Sequence, residues 1–309
     1  MILCVNLNAA IDKTIVVNSL EIGTIHRPES VKSLPGGKGC NVARALLQLG
    51  ATPVVTGWVG GTAGHFIEAG LNEEGIATDF VHTGFESRTC TSILNSANQV
   101  MTEFYEKGDP IPAGKVTEML DHFRMIVGNF EAVTLSGSLP PGVPADSYAQ
   151  LIRLAHEAEV PVLLDSSGEA LRHGVAAKPT LIKPNESEVA ILSERPLSTM
   201  VEYVDAAGEI SRRQSTIVVL SMGRSGAILA AGHQTFHVQN PPVQAVSAVG
   251  SGDCMLAGLA HGLVKGVSLP EAVRLGVAAG TANTLVIGAG QFRKADVDDL
   301  LASIELRQM

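Results

Sequence analysis

The chain has 309 residues, of which 45% are hydrophobic and only 4% aromatic, so aliphatic side chains must build its core, as they do in parallel-sheet proteins. A formal net charge of -9 at pH 7 argues against nucleic acid as a partner, because phosphate-backbone binding needs a basic face. The four cysteines are dispersed and form no CxxC pair, residues 1–8 lack a signal-peptide pattern, and no apolar run approaches roughly 18 residues; the expectation is a cytoplasmic protein without zinc, disulfides or a membrane span.

The first predicted strand is 1–7. Further short apolar runs follow at 52–59, 132–135, 160–164, 180–182 and 216–220. Helical periodicity occupies 42–49, 147–158 and 200–212, and the stretch after Ala295 reads as a helix. This alternation predicts one α/β domain over 1–309, with a mostly parallel sheet flanked by helices. In such sheets ligands gather at the carboxyl ends of the strands. Residues 14–34 and 87–107 break the rhythm, with strand-like residues and little helical periodicity. They are expected to pair as a small β-sheet lid over the cleft, with ordinary edge hairpins as the alternative.

Val249-Gly250-Ser251-Gly252-Asp253 precedes a helical stripe of Met255, Leu256, Leu259 and Leu263. Glycines at a helix start let backbone N–H groups converge on an anion, and the helix dipole favours negative charge there. A carboxylate at the same corner can take a proton from a hydroxyl. Together these parts suit phosphoryl transfer. The segment reads equally as a capped helix. No dinucleotide fingerprint, GxxxxGK[ST] loop or protein-kinase signature is present.

Five motifs in order then carry a resemblance. They are Pro35-Gly36-Gly37-Lys38-Gly39-Cys40-Asn41-Val42-Ala43-Arg44, Ser136-Gly137-Ser138-Leu139-Pro140-Pro141-Gly142, Asp165-Ser166-Ser167-Gly168, Lys183-Pro184-Asn185-Glu186-Ser187-Glu188 and the 249–253 turn. Nearly end to end, the chain resembles the ribokinase-type, or PfkB, carbohydrate kinases. Asn6-Leu7-Asn8-Ala9-Ala10-Ile11-Asp12 is similar to the opening of its hexose-phosphate branch, though Ala9-Ala10 departs from the commoner Pro-Ser or Pro-Ala. That branch contains tagatose-6-phosphate kinase, 1-phosphofructokinase and the minor 6-phosphofructokinase.

The resemblance implies that Asp253 is the base and that Gly250, Ser251 and Gly252 form the anion hole. It places Asp12, Gly36, Gly37 and Asn41 at the sugar. Lys38, Arg88 and Arg27, on segments expected to converge, supply cations for a sugar phosphate, with Ser138 completing that pocket. On the nucleotide side it implies Lys183, Asn185, Ser221, Gly223, Gly226, Thr281 and Asn283, with Asn185 and Glu188 organising Mg²⁺ largely through water. Carbonyls of Ser247, Val249, Asn283, Val286, Gly288 and Gly290 are implied as a K⁺ site. A lid-to-lid homodimer is implied as well. Cys40, Cys90 and Cys254 lie in or beside these motifs, and each reads either as a packing residue or as a redox-sensitive thiol.

The expected reaction is ATP-dependent phosphorylation of a ketohexose phosphate to a bisphosphate. A kinase of an unphosphorylated sugar or nucleoside is the nearest alternative. A non-catalytic regulator is disfavoured because Asp253 and its glycines are intact, and an oxidoreductase because the dinucleotide fingerprint is missing.

Overall fold

A computed structural model describes all residues, 1–309. β1 (Ile2–Asn6) leads into two strands of a small sheet, β2 (Ala10–Val17) and β3 (Ser30–Gly36), and then into α1 (Lys38–Gln48). β4 (Pro53–Gly60), α2 (Gly61–Glu73), β5 (Ala77–Thr78) and β6 (Val81–Thr83) precede a return to the small sheet in β7 (Arg88–Asn95) and β8 (Val100–Tyr105). Alternation follows through α3 (Ala113–Ile126), β9 (Ala132–Ser136), α4 (Ser147–Glu157), β10 (Val162–Asp165), α5 (Gly168–Ala176) and β11 (Leu181–Ile182). α6 (Glu186–Ser193), α7 (Met200–Gln214) and β12 (Ile217–Ser221) come next. The chain ends with β13 (Ala227–Ala231), β14 (Gln234–Gln239), α8 (Ser251–Val264), α9 (Leu269–Asn283), α10 (Lys294–Leu301) and β15 (Glu305–Gln308).

The large sheet runs β15-β14-β13-β12-β11-β10-β9-β1-β4-β5, with β6 also on β4. It is parallel from β12 to the β5 edge and antiparallel from β12 to β15. Successive side chains of a strand point to opposite faces, so β1 feeds two cores. Ile2 and Cys4 join a 36-residue cluster with α1, α2, α8, α9 and α10. Leu3 and Val5 join a 33-residue cluster with helices α3 to α7. A strand covered on both faces must be apolar throughout, which is why these strands read as unbroken hydrophobic runs.

The small sheet runs β3-β2-β7-β8, with β2 and β7 parallel and both outer pairs antiparallel. It begins earlier than the expected 14–34 excursion. β2 pairs from Ala10 onward, Ala10 with both Gly36 and Arg88, so Asp12 is a sheet residue and not part of a turn. The expected C-terminal helix also ends early, and β15 after it completes the large sheet's edge.

Candidate active site

One cleft of about 600 Å³ lies between the two sheets. Its lining includes Asn6, Gly137, Ser138, Asp165, Lys183 and Ser221, the residues at or just after the carboxyl ends of β1, β9, β10, β11 and β12. The small sheet adds Asp12, Arg88 and Tyr105, and the α8 turn adds Gly250, Gly252 and Asp253.

Asn6 positions the glycine loop. Its amide donates to Gly36 O and to Cys40 Sγ, both at 3.1 Å. Gly36 packs so tightly that a Cβ there would stand 2.1 Å from Asp12 Cγ. Asp12 is half-buried, and burial raises its carboxyl above the usual range; the Gly37 N–H and the Arg44 and Arg88 charges pull the other way.

At the opposite wall Gly250 adopts φ 79°, which favours glycine, and begins α8. A Cβ on Gly250 would lie 2.3 Å from Ala289 Cβ. Asp253 stands in the first turn, 5% exposed. Burial pushes its carboxyl up to about 6, helped by Asp165 and opposed by Lys38, Lys183 and a hydrogen bond from Asn41. That bond, Asn41 Nδ2 to Asp253 Oδ2, measures 2.9 Å. Asn41 Oδ1 accepts from Arg44 at 3.3 Å. Asn41 therefore lines the cleft as expected, with its amide oriented by the carboxylate at one end and by Arg44 at the other.

Asp165 was quoted as part of a motif without a role, and it is the electrostatic hub. Its two carboxylate oxygens lie 3.0 Å from Lys38 Nζ and 3.0 Å from Lys183 Nζ. Burial raises the Asp165 carboxyl, but the two lysines outweigh it and hold the group below its usual range. Lys38 is thus an ion-pair partner of the β10 terminus, not an unpaired cation.

Arg88 does lie in the cleft, between Asn8 O, reached at 3.3 and 3.2 Å by Nε and Nη2, and Glu106 O at 2.9 Å. It has no carboxylate partner. Ser138 Oγ accepts from Asn8 at 3.2 Å beside it. Arg27 does not reach the cleft: it is exposed on the loop between β2 and β3, with nothing bonded to it.

Asn185 and Glu188 both face the cleft and also cap α6. Asn185 Oδ1 accepts from the Glu188 N–H, and Glu188 Oε2 from the Asn185 N–H, each at 2.9 Å. Ser221 lines the cleft next to them. Gly223 and Gly226 do not. Gly226 has φ 91°, and its Cβ would meet Val238 O at 2.0 Å, so the β13–β14 hairpin demands glycine there. Thr281 and Asn283 are buried and lie outside the lining of this cleft. Thr281 bonds Val277 O and Asn240. Asn283 straps Val249 O, Ser251 Oγ and Gly290 N together. Asn283 thus braces the 249–251 turn, whereas Thr281 ties α9 to Asn240.

All four cysteines are buried and unpaired. Cys40 and Cys254 are fully buried, and burial raises both thiols, Cys40 to about 12, as suits packing residues.

This fold and cleft define a ribokinase-like phosphotransferase. The chain belongs to the pfkB family of carbohydrate kinases, whose description matches residues 5–295. A point mutant of phosphofructokinase-2 from Escherichia coli is 30% identical, with a TM-score of 0.91 and 98% of both chains covered. A structure described as a possible 1-phosphofructokinase from Thermotoga maritima is 25% identical at TM-score 0.90, covering 100% of this chain and 99% of that one. Ribokinase from Arabidopsis thaliana shares the fold at TM-score 0.77 and 23% identity, covering 97% of this chain and 98% of that one.

Proposed function

We propose that the enzyme transfers the γ-phosphoryl group of ATP to a primary hydroxyl of a ketohexose phosphate: tagatose 6-phosphate, fructose 1-phosphate or fructose 6-phosphate. One observation carries this reading. Arg88 is a half-buried guanidinium pinned by backbone carbonyls, with no carboxylate within ion-pair distance, on the wall that also holds Asp12. A charge in that state calls for an anion. Phosphofructokinase-2 of Escherichia coli has been solved with fructose 6-phosphate. The pairing of Lys38 with Asp165 is the observation that favours a neutral sugar or nucleoside, since it leaves one unpaired cation fewer than expected.

In this reading Asp12 holds sugar hydroxyls, and Asp253 takes the proton of the attacking hydroxyl. The hydroxyl oxygen bonds to the γ-phosphorus as the bond to the β-bridging oxygen breaks, and ADP leaves. The N–H groups of 250–252 face the charge on the transferring group. Lys183, held beside Gly252, adds positive charge there.

The residues fit Mg²⁺ held through water. Glu188 Oε1 accepts no bond from the protein, and burial raises its carboxyl, as for a group short of a positive partner. Bound there with ATP, the ion would neutralise charge between the β- and γ-phosphates. The carbonyls of 247–290 remain the candidates for K⁺, although Val249 O already accepts from Asn283. The small sheet would act as a lid that excludes water, and as the surface of a homodimer. Its loop residues Ile22 and Ile25 are fully exposed, and Phe104 is 59% exposed.

A coupled ADP-release assay across the three sugar phosphates, free fructose and ribose tests the reading. A preference for a sugar phosphate by orders of magnitude in kcat/KM is expected. Equal or better turnover of a neutral sugar would overturn it.

A further inference from the structure

Arg44 lies on α1, one turn past Asn41, and is 3% exposed. Each of its five N–H groups has an acceptor. Nε and Nη2 hold Glu74 in a fork at 2.6 and 2.9 Å. Nη2 also reaches Pro35 O at 2.9 Å, and Nη1 reaches Asn41 Oδ1 at 3.3 Å and Ala289 O at 3.4 Å. One buried cation thus ties together the end of α2, the strand that enters the glycine loop, the segment that packs on Gly250, and the amide touching Asp253.

The chemistry of these groups restricts the arrangement. Guanidinium is a donor only, whereas an Asn side chain has one acceptor end and one donor end. Asn41 must therefore turn Oδ1 to Arg44, and Nδ2 is left facing Asp253. The donated hydrogen bond occupies Asp253 Oδ2. No protein donor reaches Oδ1 of the same carboxylate, and Asp253 lines the cleft.

We infer that Arg44 is a positioning residue, acting through Asn41 to reserve Oδ2 of Asp253 and leave Oδ1 as the oxygen that takes the substrate proton. This rests on Asp253 being the base proposed above. Without Arg44, Asn41 is free to flip and present its carbonyl oxygen to the carboxylate, which repels it. Misplacement by about 1 Å costs on the order of 100-fold in rate.

The test is a double-mutant cycle in kcat with Arg44→Lys, Asn41→Ala and the pair. Lysine keeps a charge opposite Glu74 but has no fork to reach Asn41. Each single change is expected to lower kcat about 10- to 100-fold in the folded enzyme, with ADP affinity near that of the parent. The pair should be no worse than Asn41→Ala alone, because Arg44 acts through Asn41. Losses that multiply in the pair, or an Arg44→Lys enzyme with full kcat, overturn the inference. Should Arg44→Lys fail to fold, Glu74→Gln, at the more exposed end of the fork, replaces it in the same cycle with the same two outcomes. Asp253→Asn, run alongside, separates the two levels: near-normal turnover in that variant removes the base itself, whereas a dead Asp253→Asn with a multiplicative cycle removes only the role of Arg44.

Discussion

Lys38 Nζ lies 3.0 Å from Asp165 Oδ1, which binds the glycine loop to the end of β10. The other oxygen of Asp165 holds Lys183, itself 5% exposed. A carboxylate between two lysines is hard to replace, because removing it strands the buried ammonium of Lys183. Asp165→Asn is expected to cost about 3 kcal/mol of stability, read from denaturant unfolding. The sign with pH follows from the lowered carboxyl. Its contribution is present above the ordinary carboxylate value of about 3.9 and is lost as pH falls through the depressed folded value, so parent and variant should converge only in strong acid. A gap that persists unchanged there would show that the two lysines are not the cause.

Asp253 titrates the other way. Its folded value, raised to about 6, makes the ionised form a cost to stability at neutral pH. The favourable contribution exists below the unfolded value and disappears as pH rises through about 6. Asp253→Asn should therefore be more stable than the parent at pH 7 to 8, by an amount on the order of 1 kcal/mol, while kcat drops by orders of magnitude and ATP still binds. In the parent, kcat/KM should fall on the acid side near pH 6. Titration calorimetry with ATP and a pH–rate profile check both halves.

Arg88→Ala tests the phosphate pocket more cleanly than a change at Lys38, because no carboxylate forms an ion pair with Arg88. KM for the preferred sugar phosphate should rise about 100-fold, with KM for ATP little changed. Similar KM changes for free fructose would mean that Arg88 holds the sheet together and does not bind phosphate.

Gly36→Ala places a methyl group 2.1 Å from Asp12 Cγ. The side chain of Asp12 must move, so affinity for sugar should fall by an order of magnitude or more while nucleotide affinity is kept. Steady-state KM values for the two substrates decide this.

Local signals in the sequence identify some of this site and miss the rest for a physical reason. The glycine loop and the α8 turn are legible because a tight turn, a helix start and a carboxylate fall within a few residues. Asn185 and Glu188 have the spacing of a capping box, three apart before an apolar stretch, and that local role was there to be read as well. Asp165 and Arg44 are different. What distinguishes Asp165 is a pair of lysines far away in sequence, and Arg44 sits on a helix whose periodicity says nothing about Glu74 or Ala289. Thr281 and Asn283 are near the site, but α9 turns them inward, which helical periodicity alone does not reveal. The strand pattern of the large sheet came through because both faces are apolar. β13, β14 and β15 lie at its antiparallel edge, where that pattern weakens.

The bond between Asn41 and Asp253 joins residues 212 positions apart. A ribosome makes Asp12, the glycine loop and Arg44 early, and the anion turn with its base only near the end. Until α8 has emerged and docked, Asn41 has no Asp253 to pair with and the cleft lacks one of its walls, so the first half of the chain cannot assemble the site alone.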